Sequence, residues 1–328
     1  MKMFFKYNYK FFIFLIVTIL ILTYPMPYVI SNGGGISDLS TKFTIENSYP
    51  SKGSFNLSYV SQVDATLSNY LLSKLLKWDV ESASEYQVTD NETLTDVLNR
   101  SKIMLKVANQ NSIIVAYKKA GKEININSSN YYIAYIFNDS ISKIKIGDIF
   151  YKVNDEVIED FAKLNDIINN SEKVKVTVIR DGKEITEDVK VITDKNGDKM
   201  IGVASYNIFD FEVKPEIKFS FENNESGGSA GLMTTLAIYN ALVEEDITHG
   251  LKIAGTGTIN VNGEVGAIGG VGYKLSGAVY GGADVFFVPA GENYEEALKV
   301  KEKKNYSIEL IPVSTFDEAL EYLNKLKK

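Results

Sequence analysis

The chain opens on an apolar run, FFIFLIVTILIL at 11–22, preceded by Lys2, Lys6 and Lys10. Apolar character continues through Tyr24 to Ile30. That is roughly 20 residues, the length of a membrane span. YPMPYVISN after Leu22 is bulky and lacks a small-x-small cleavage site, which favours an uncleaved anchor over a signal peptide. Lysines in front of the run predict a cytoplasmic start and an extracytoplasmic remainder. Gly33-Gly34-Gly35 reads as a short flexible linker.

Further along, the period of the pattern changes twice. Residues 41–62 alternate as two strands around Pro50–Gly53 would, 64–78 has helical spacing, and 80–92 is polar and irregular. One long helix is predicted from Glu92 to Lys119, closed by Gly121. Short strands dominate from about residue 122: YYIAYIF at 131–137, IFYKV at 149–153, KVKVTVIR at 173–180 and EITEDVKV at 184–191. A short helix fits 161–168, and Asp181-Gly182 signals a hairpin. From 199 onward strands and helices alternate: strands at 212–221, 251–258, 284–288 and 307–311, helices at 229–244, 274–281, 294–301 and 315–327. Ser314 and Asp317 look like start residues for the last of these.

Composition narrows the chemistry. A net charge of −7 without a basic stripe argues against nucleic acid. Zero cysteines remove thiol catalysis, disulfides and cysteine zinc sites, and one histidine removes a multi-histidine metal centre. No metal or cofactor is expected.

Two residues then stand out. Ser229 sits in ENNESGGSAG at the mouth of a helix, with Gly227, Gly228, Ala230 and Gly231 around it. A serine there is commonly just an N-cap. The small residues, however, leave room for a substrate backbone, and a helix start supplies free N–H groups suited to an oxyanion. Ser226 is available as the cap and is itself a weaker rival nucleophile. For the base, His249 lies in EEDITHG, a wet helix-end context. Lys274 lies in VGAIGGVGYKLSGAVYGGA, with no other charge from Val265 to Ala283. A lysine desolvated there loses its proton more easily and acts as a general base. Alone, that context equally fits a lysine snorkelling off an apolar helix.

The segments GGSAG, then AGTGTINVNGEVGAIGGVGYK ending 45 residues after the serine, then GADVFFVPAGEN resemble the proteolytic domain of the Lon proteases. Gly228 stands where that family usually has proline. The resemblance implies Ser229 as nucleophile and Lys274 as general base of a Ser-Lys dyad. Thr256 falls on a supporting threonine near the dyad, with Gly228 and Ala230 as flanking small residues. Glu292-Asn293 after Pro289 falls on a structural stretch. The order KIGDIFYKVND, helix, KVTVIRDGK at about 121–198 resembles a PDZ domain, with the peptide-binding loop expected at INSSNYYIAY and lacking that family's glycine. The whole layout is similar to the membrane-anchored, PDZ-containing Lon-like proteases of Gram-positive bacteria.

The expected fold is therefore α+β: an anchor at 1–31, a first part of the protease domain at 36–120, an inserted PDZ-like module at 121–198, and the proteolytic part at 199–328. The expected partner is a peptide or protein substrate, with a tendency to homo-oligomeric rings implied by the family. No G-x-x-x-x-G-K-[ST] occurs in the sequence; GGVGYKLSG breaks the loop at Tyr273. No nucleotide is expected, and hence ATP-independent cleavage. Two other classes fit parts of the pattern: a non-catalytic surface adaptor using the PDZ-like module, and a Ser-His hydrolase using His249.

Overall fold

A computed structural model describes residues 2–76, 78–89, 92–158 and 161–326. Helix α1 (Lys2–Thr23) runs into strand β1 (Pro25–Asp38); β2 (Phe43–Ile45), β3 (Ser54–Thr66), α2 (Leu67–Leu76), β4 (Asp79–Ser82) and the long α3 (Leu94–Lys119) follow. Thr93 caps α3 reciprocally with Asp96, so the helix starts two residues later than Glu92.

Next comes a β-rich segment: β5 (Glu123–Ile136), β6 (Ile149–Val153), β7 (Glu156–Val157), α4 (Phe161–Asn169), β8 (Lys173–Arg180), β9 (Lys183–Lys190), β10 (Ile192–Thr193), β11 (Lys199–Met200) and β12 (Val203–Lys214). Its main sheet has the order β12-β5-β6-β8-β9. Ile133, Phe150, Val153, Leu164 and Val178 form its own core. The alternation of KVKVTVIR carries Val174, Val176 and Val178 inward. Asp181 and Gly182 turn the β8–β9 hairpin at positive φ.

The chain then continues through β13 (Ile217–Phe219), α5 (Gly231–Leu242), β14 (Lys252–Gly255), β15 (Thr258–Ile259), β16 (Val265–Gly266), α6 (Val271–Tyr280), β17 (Val285–Pro289), α7 (Glu292–Lys304), β18 (Glu309–Val313) and α8 (Phe316–Lys325). The fold is mixed α+β. One six-stranded sheet takes strands from both ends of the chain in the order β18-β17-β14-β3-β1-β4. β3, β14, β17 and β18 run parallel; β1 and β4 close it antiparallel. Alternation along β17 sends Phe287 to one face, into a core with Leu232, Met233 and Tyr117, and Phe286 to the other, with Leu275 and Ala297. Each such side chain contributes about 1.5–3 kcal/mol by leaving water.

The N-terminal third departs most from the pattern-based expectation. Helix ends at Thr23, and Tyr24 to Ile30, counted above with an anchor, turns into β1, where Val29 and Ile30 are buried. The lysine-free length of α1, residues 11–23, is about 20 Å, short of the roughly 30 Å hydrocarbon core. Among the described residues no helix is long and apolar enough to cross a membrane. Gly33-Gly34-Gly35 is no linker: it lies within β1, where a Cβ at Gly34 would stand 1.5 Å from the Tyr59 carbonyl oxygen. Residues 80–92 hold β4 and a 3-10 turn at Ala83–Tyr86. INSSNYYIAY, expected as a peptide-binding loop, is the body of β5 and pairs with β12 over its length. Helix α6 begins at Val271, earlier than Lys274, and the last helix is capped by Thr315 rather than by Ser314 or Asp317.

Candidate active site

Ser229 lies in a turn just before α5, not in the helix itself. Its backbone is fixed from β14's carboxyl end: the Gly257 N–H donates to the Ser229 carbonyl at 2.8 Å, and the Leu232 N–H donates back to the Gly257 carbonyl at 3.0 Å. Gly231 permits this closeness, because a Cβ there would stand 2.9 Å from the Ile259 nitrogen. Helix α3 holds the turn from the other side: the Ser112 hydroxyl donates to the Gly231 carbonyl at 2.9 Å, and the Gly227 N–H donates to the Ser101 carbonyl at 2.9 Å.

Lys274 sits on the first turns of α6. That helix packs unusually close to β1: a Cβ at Gly277 would lie 2.9 Å from the Gly35 nitrogen. The glycines misread as a linker therefore let α6 lie against the sheet. Asn293, in the predicted Glu292-Asn293 pair, clamps the approach to α6, accepting from the Ile268 N–H and donating to the Ile268 carbonyl, both at 2.9 Å.

These elements bring Lys274 Nζ to 2.8 Å from Ser229 Oγ. Lys274 is only 5% exposed. Burial pulls its pKa down to about 8, and no carboxylate opposes that shift. Thr256 is fully buried at the end of β14 and does two things. Its hydroxyl donates to the Ser229 carbonyl at 3.1 Å and accepts from Lys274 Nζ at 3.3 Å. The resemblance places it only near the dyad; the bond to the serine backbone follows from the turn geometry, which no spacing reveals.

A cleft of about 940 Å³ opens over the pair, bounded by Tyr59, Leu98, Phe221 and Tyr273. Ser226 lines the same cleft but is exposed, and the lysine amine bonds to Ser229. His249 Nε2 pairs with the Leu323 carbonyl at 3.1 Å, at the end of α8, and is not in the cleft. The structure does not bring it to Ser229. At Gly228 a Cβ would meet only ordinary contacts, Met104 O at 3.5 Å being nearest, so glycine here is not a steric requirement. Ala230 is half-buried beside it.

Comparison with known proteins bears on this region. Residues 223–325 match the family model described as the Lon protease (S16) C-terminal proteolytic domain. The Lon protease of Metamycoplasma arthritidis is 23% identical over 290 residues, covering 79% of this chain and 33% of that protein. The Lon protease of Mycoplasma mobile is 36% identical over 122 residues, 34% of this chain and 14% of that protein. The archaeal Lon protease of Halobacterium salinarum is 28% identical over 138 residues, 42% of this chain and 18% of that protein. The chain thus spans a third or less of the length of these relatives. Among solved structures, the PDZ domain of an SdrC-like protein from Listeria monocytogenes is similar over 25% of this chain and 92% of its own, with 18% identity and a TM-score of 0.22.

Proposed function

We propose that this chain, whose residues 223–325 match the Lon protease (S16) C-terminal proteolytic domain, is a membrane-associated serine endopeptidase that cleaves peptides or proteins without ATP. Ser229 is the nucleophile and Lys274 the general base. The observation that carries this reading is the 2.8 Å contact between the serine hydroxyl and a buried amine whose pKa lies near 8. At that pKa a useful fraction of Lys274 is neutral near neutral pH.

In the acylation step the neutral amine takes the Ser229 hydroxyl proton while Oγ bonds to the scissile carbonyl carbon. The oxyanion so formed is stabilised by backbone N–H groups of the turn that carries Ser229. The tetrahedral species collapses, the carbon–nitrogen bond breaks, and the Lys274 ammonium returns its proton to the departing amine. A water, deprotonated by Lys274, then attacks the acyl-serine and restores Ser229. Thr256 orients the amine throughout and keeps the serine turn in place.

Within this reading the protease domain is formed by 36–120 together with 199–328, and 121–198 is an inserted PDZ-like module. Its support is the six-stranded sheet built from both ends of the chain and the separate core of the insert. The module presents substrate, because β9 stands at the edge of its sheet, where an extended peptide can add as a further strand. Membrane association rests on α1, whose residues 13–17 are all at least 40% exposed although every one is apolar.

The test is incubation of the full chain in detergent with an unstructured protein and no nucleotide. The reading predicts discrete fragments, none with Ser229→Ala. Fragmentation that persists in Ser229→Ala, or that appears only on adding ATP, overturns it.

A further inference from the structure

The leucine face of α2 has no role in the chemistry above. Leu71, Leu72, Leu75 and Leu76 are all exposed, Leu75 to 78%. The opposite side of the helix is tied to the body: Ser73 is fully buried, and Tyr70 stacks on Tyr28 of β1 at 5.1 Å. Lys74 lies over the Tyr70 ring at 5.0 Å. The stretch from Leu71 reads LLSKLLKW, ending in the chain's single tryptophan, Trp78, which is half-buried. Leucines on one face, Lys74 beside them and a tryptophan just past the helix end form the make-up of a segment that lies in a lipid–water interface.

Helix α1 says which occupant covers that face. It packs against α2. Five consecutive exposed apolar residues, 13–17, take in more than one full turn, so this part of α1 is apolar on every side. A protein partner or a second copy covers one stripe of a helix; a surrounding lipid phase covers all of it. The exposed α2 leucines lie on the helix packed beside it.

We propose that the leucine face of α2 seats the protein on the bilayer surface beside α1, with Trp78 at the lipid–water boundary. This rests on the membrane association proposed above, and it adds a consequence for substrate choice. Glu81 of β4 lines the catalytic cleft. The chain from Leu76 to Glu81 reaches at most about 17 Å fully extended. The cleft wall therefore stands close to the lipid surface, and the substrates are chain segments next to the membrane rather than soluble proteins at large.

The natural chain has no cysteine, so single-cysteine variants take one label each. Phe14→Cys, Leu75→Cys and Val261→Cys are labelled with the environment-sensitive fluorophore NBD. The full chain is reconstituted in vesicles of equal parts phosphatidylcholine and phosphatidylglycerol, with and without a nitroxide-bearing lipid. Val261 is exposed between β15 and β16 and serves as the aqueous control. Strong nitroxide quenching is expected at Phe14→Cys and at Leu75→Cys and none at Val261→Cys, while unlabelled natural protein shows a blue-shifted, quenched Trp78 emission. Quenching at Phe14→Cys alone overturns the α2 seat and leaves membrane association standing. Quenching at neither overturns both. Blue-shifted but unquenched emission at Leu75→Cys means that protein covers the face, and it overturns the proposal too.

Discussion

The β-rich segment from 123 to 190 and the cleft over Ser229 treat buried charge in opposite ways. In that segment, Asp148 is almost wholly buried but takes Arg180 Nε at 2.6 Å and Arg180 Nη2 at 2.7 Å. The hydrogen bond and attraction to Asp148 hold the Arg180 pKa above its ordinary value. Burial alone pushes the Glu187 pKa up, but hydrogen bonds from Ser142, Lys143 and Ile144 outweigh it and hold that pKa low. Arg180 and Glu187 are thus held in their charged forms. Lys274 is buried to a similar degree yet meets only two hydroxyls, Ser229 and Thr256. Its environment favours the neutral form. Compensated burial builds structure; uncompensated burial of an amine beside a hydroxyl builds a base.

The comparison can be broken first at the dyad. Ser229→Ala and Lys274→Met are each expected to lower kcat/KM by roughly 10³-fold or more, and the double variant no further, because the two act as one unit. Losses that multiply, measured on a fluorogenic peptide, would mean independent roles.

Stability sharpens it next. The folded pKa of Lys274 lies below the unfolded value near 10.5, so the fold disfavours its proton. The penalty is fully present below about pH 8 and fades as pH rises toward the unfolded value. Lys274→Met is therefore expected to stabilise the protein at pH 7, by up to about 3 kcal/mol, with no gain near pH 11. Arg180→Met should do the reverse, destabilising by about 2–4 kcal/mol, because it strands the Asp148 carboxylate. Denaturant unfolding of the two variants across pH separates these effects.

A smaller effect is expected at Thr256. Thr256→Val removes the hydroxyl that holds both the lysine amine and the serine carbonyl, and kcat should fall about tenfold with KM little changed. Thr256→Ser should restore most of it. An unchanged kcat in Thr256→Val would reduce that residue to packing.

Legibility in the sequence followed locality. Ser229 and Lys274 stand out because each sits in an unusual local context, small residues for one and a charge-free stretch for the other. The β8–β9 hairpin is readable because valine alternation and Asp181-Gly182 act within a few residues. The N-terminal strand was not: the Gly33–Gly35 stretch looks flexible until Tyr59 and Gly277 press on it, and both contacts come from distant parts of the chain. The second bond of Thr256 was hidden for the same reason, since it depends on how the turn at Ser229 meets the end of β14. The start of α6 was placed too late because Gly269, Gly270 and Gly272 read as loop, while the structure packs Val271 fully buried in the first turn.

Whether a neutral Lys274 accepts the Ser229 proton is decided by the pH dependence of serine acylation. The full chain is treated with a serine-reactive fluorophosphonate, and labelling of Ser229 is followed by mass spectrometry from pH 6 to pH 11. The rate is expected to rise about tenfold per pH unit, to level off near pH 8 and to collapse in Lys274→Met. A midpoint at the ordinary lysine value, or a labelling rate that Lys274→Met leaves unchanged, would contradict it.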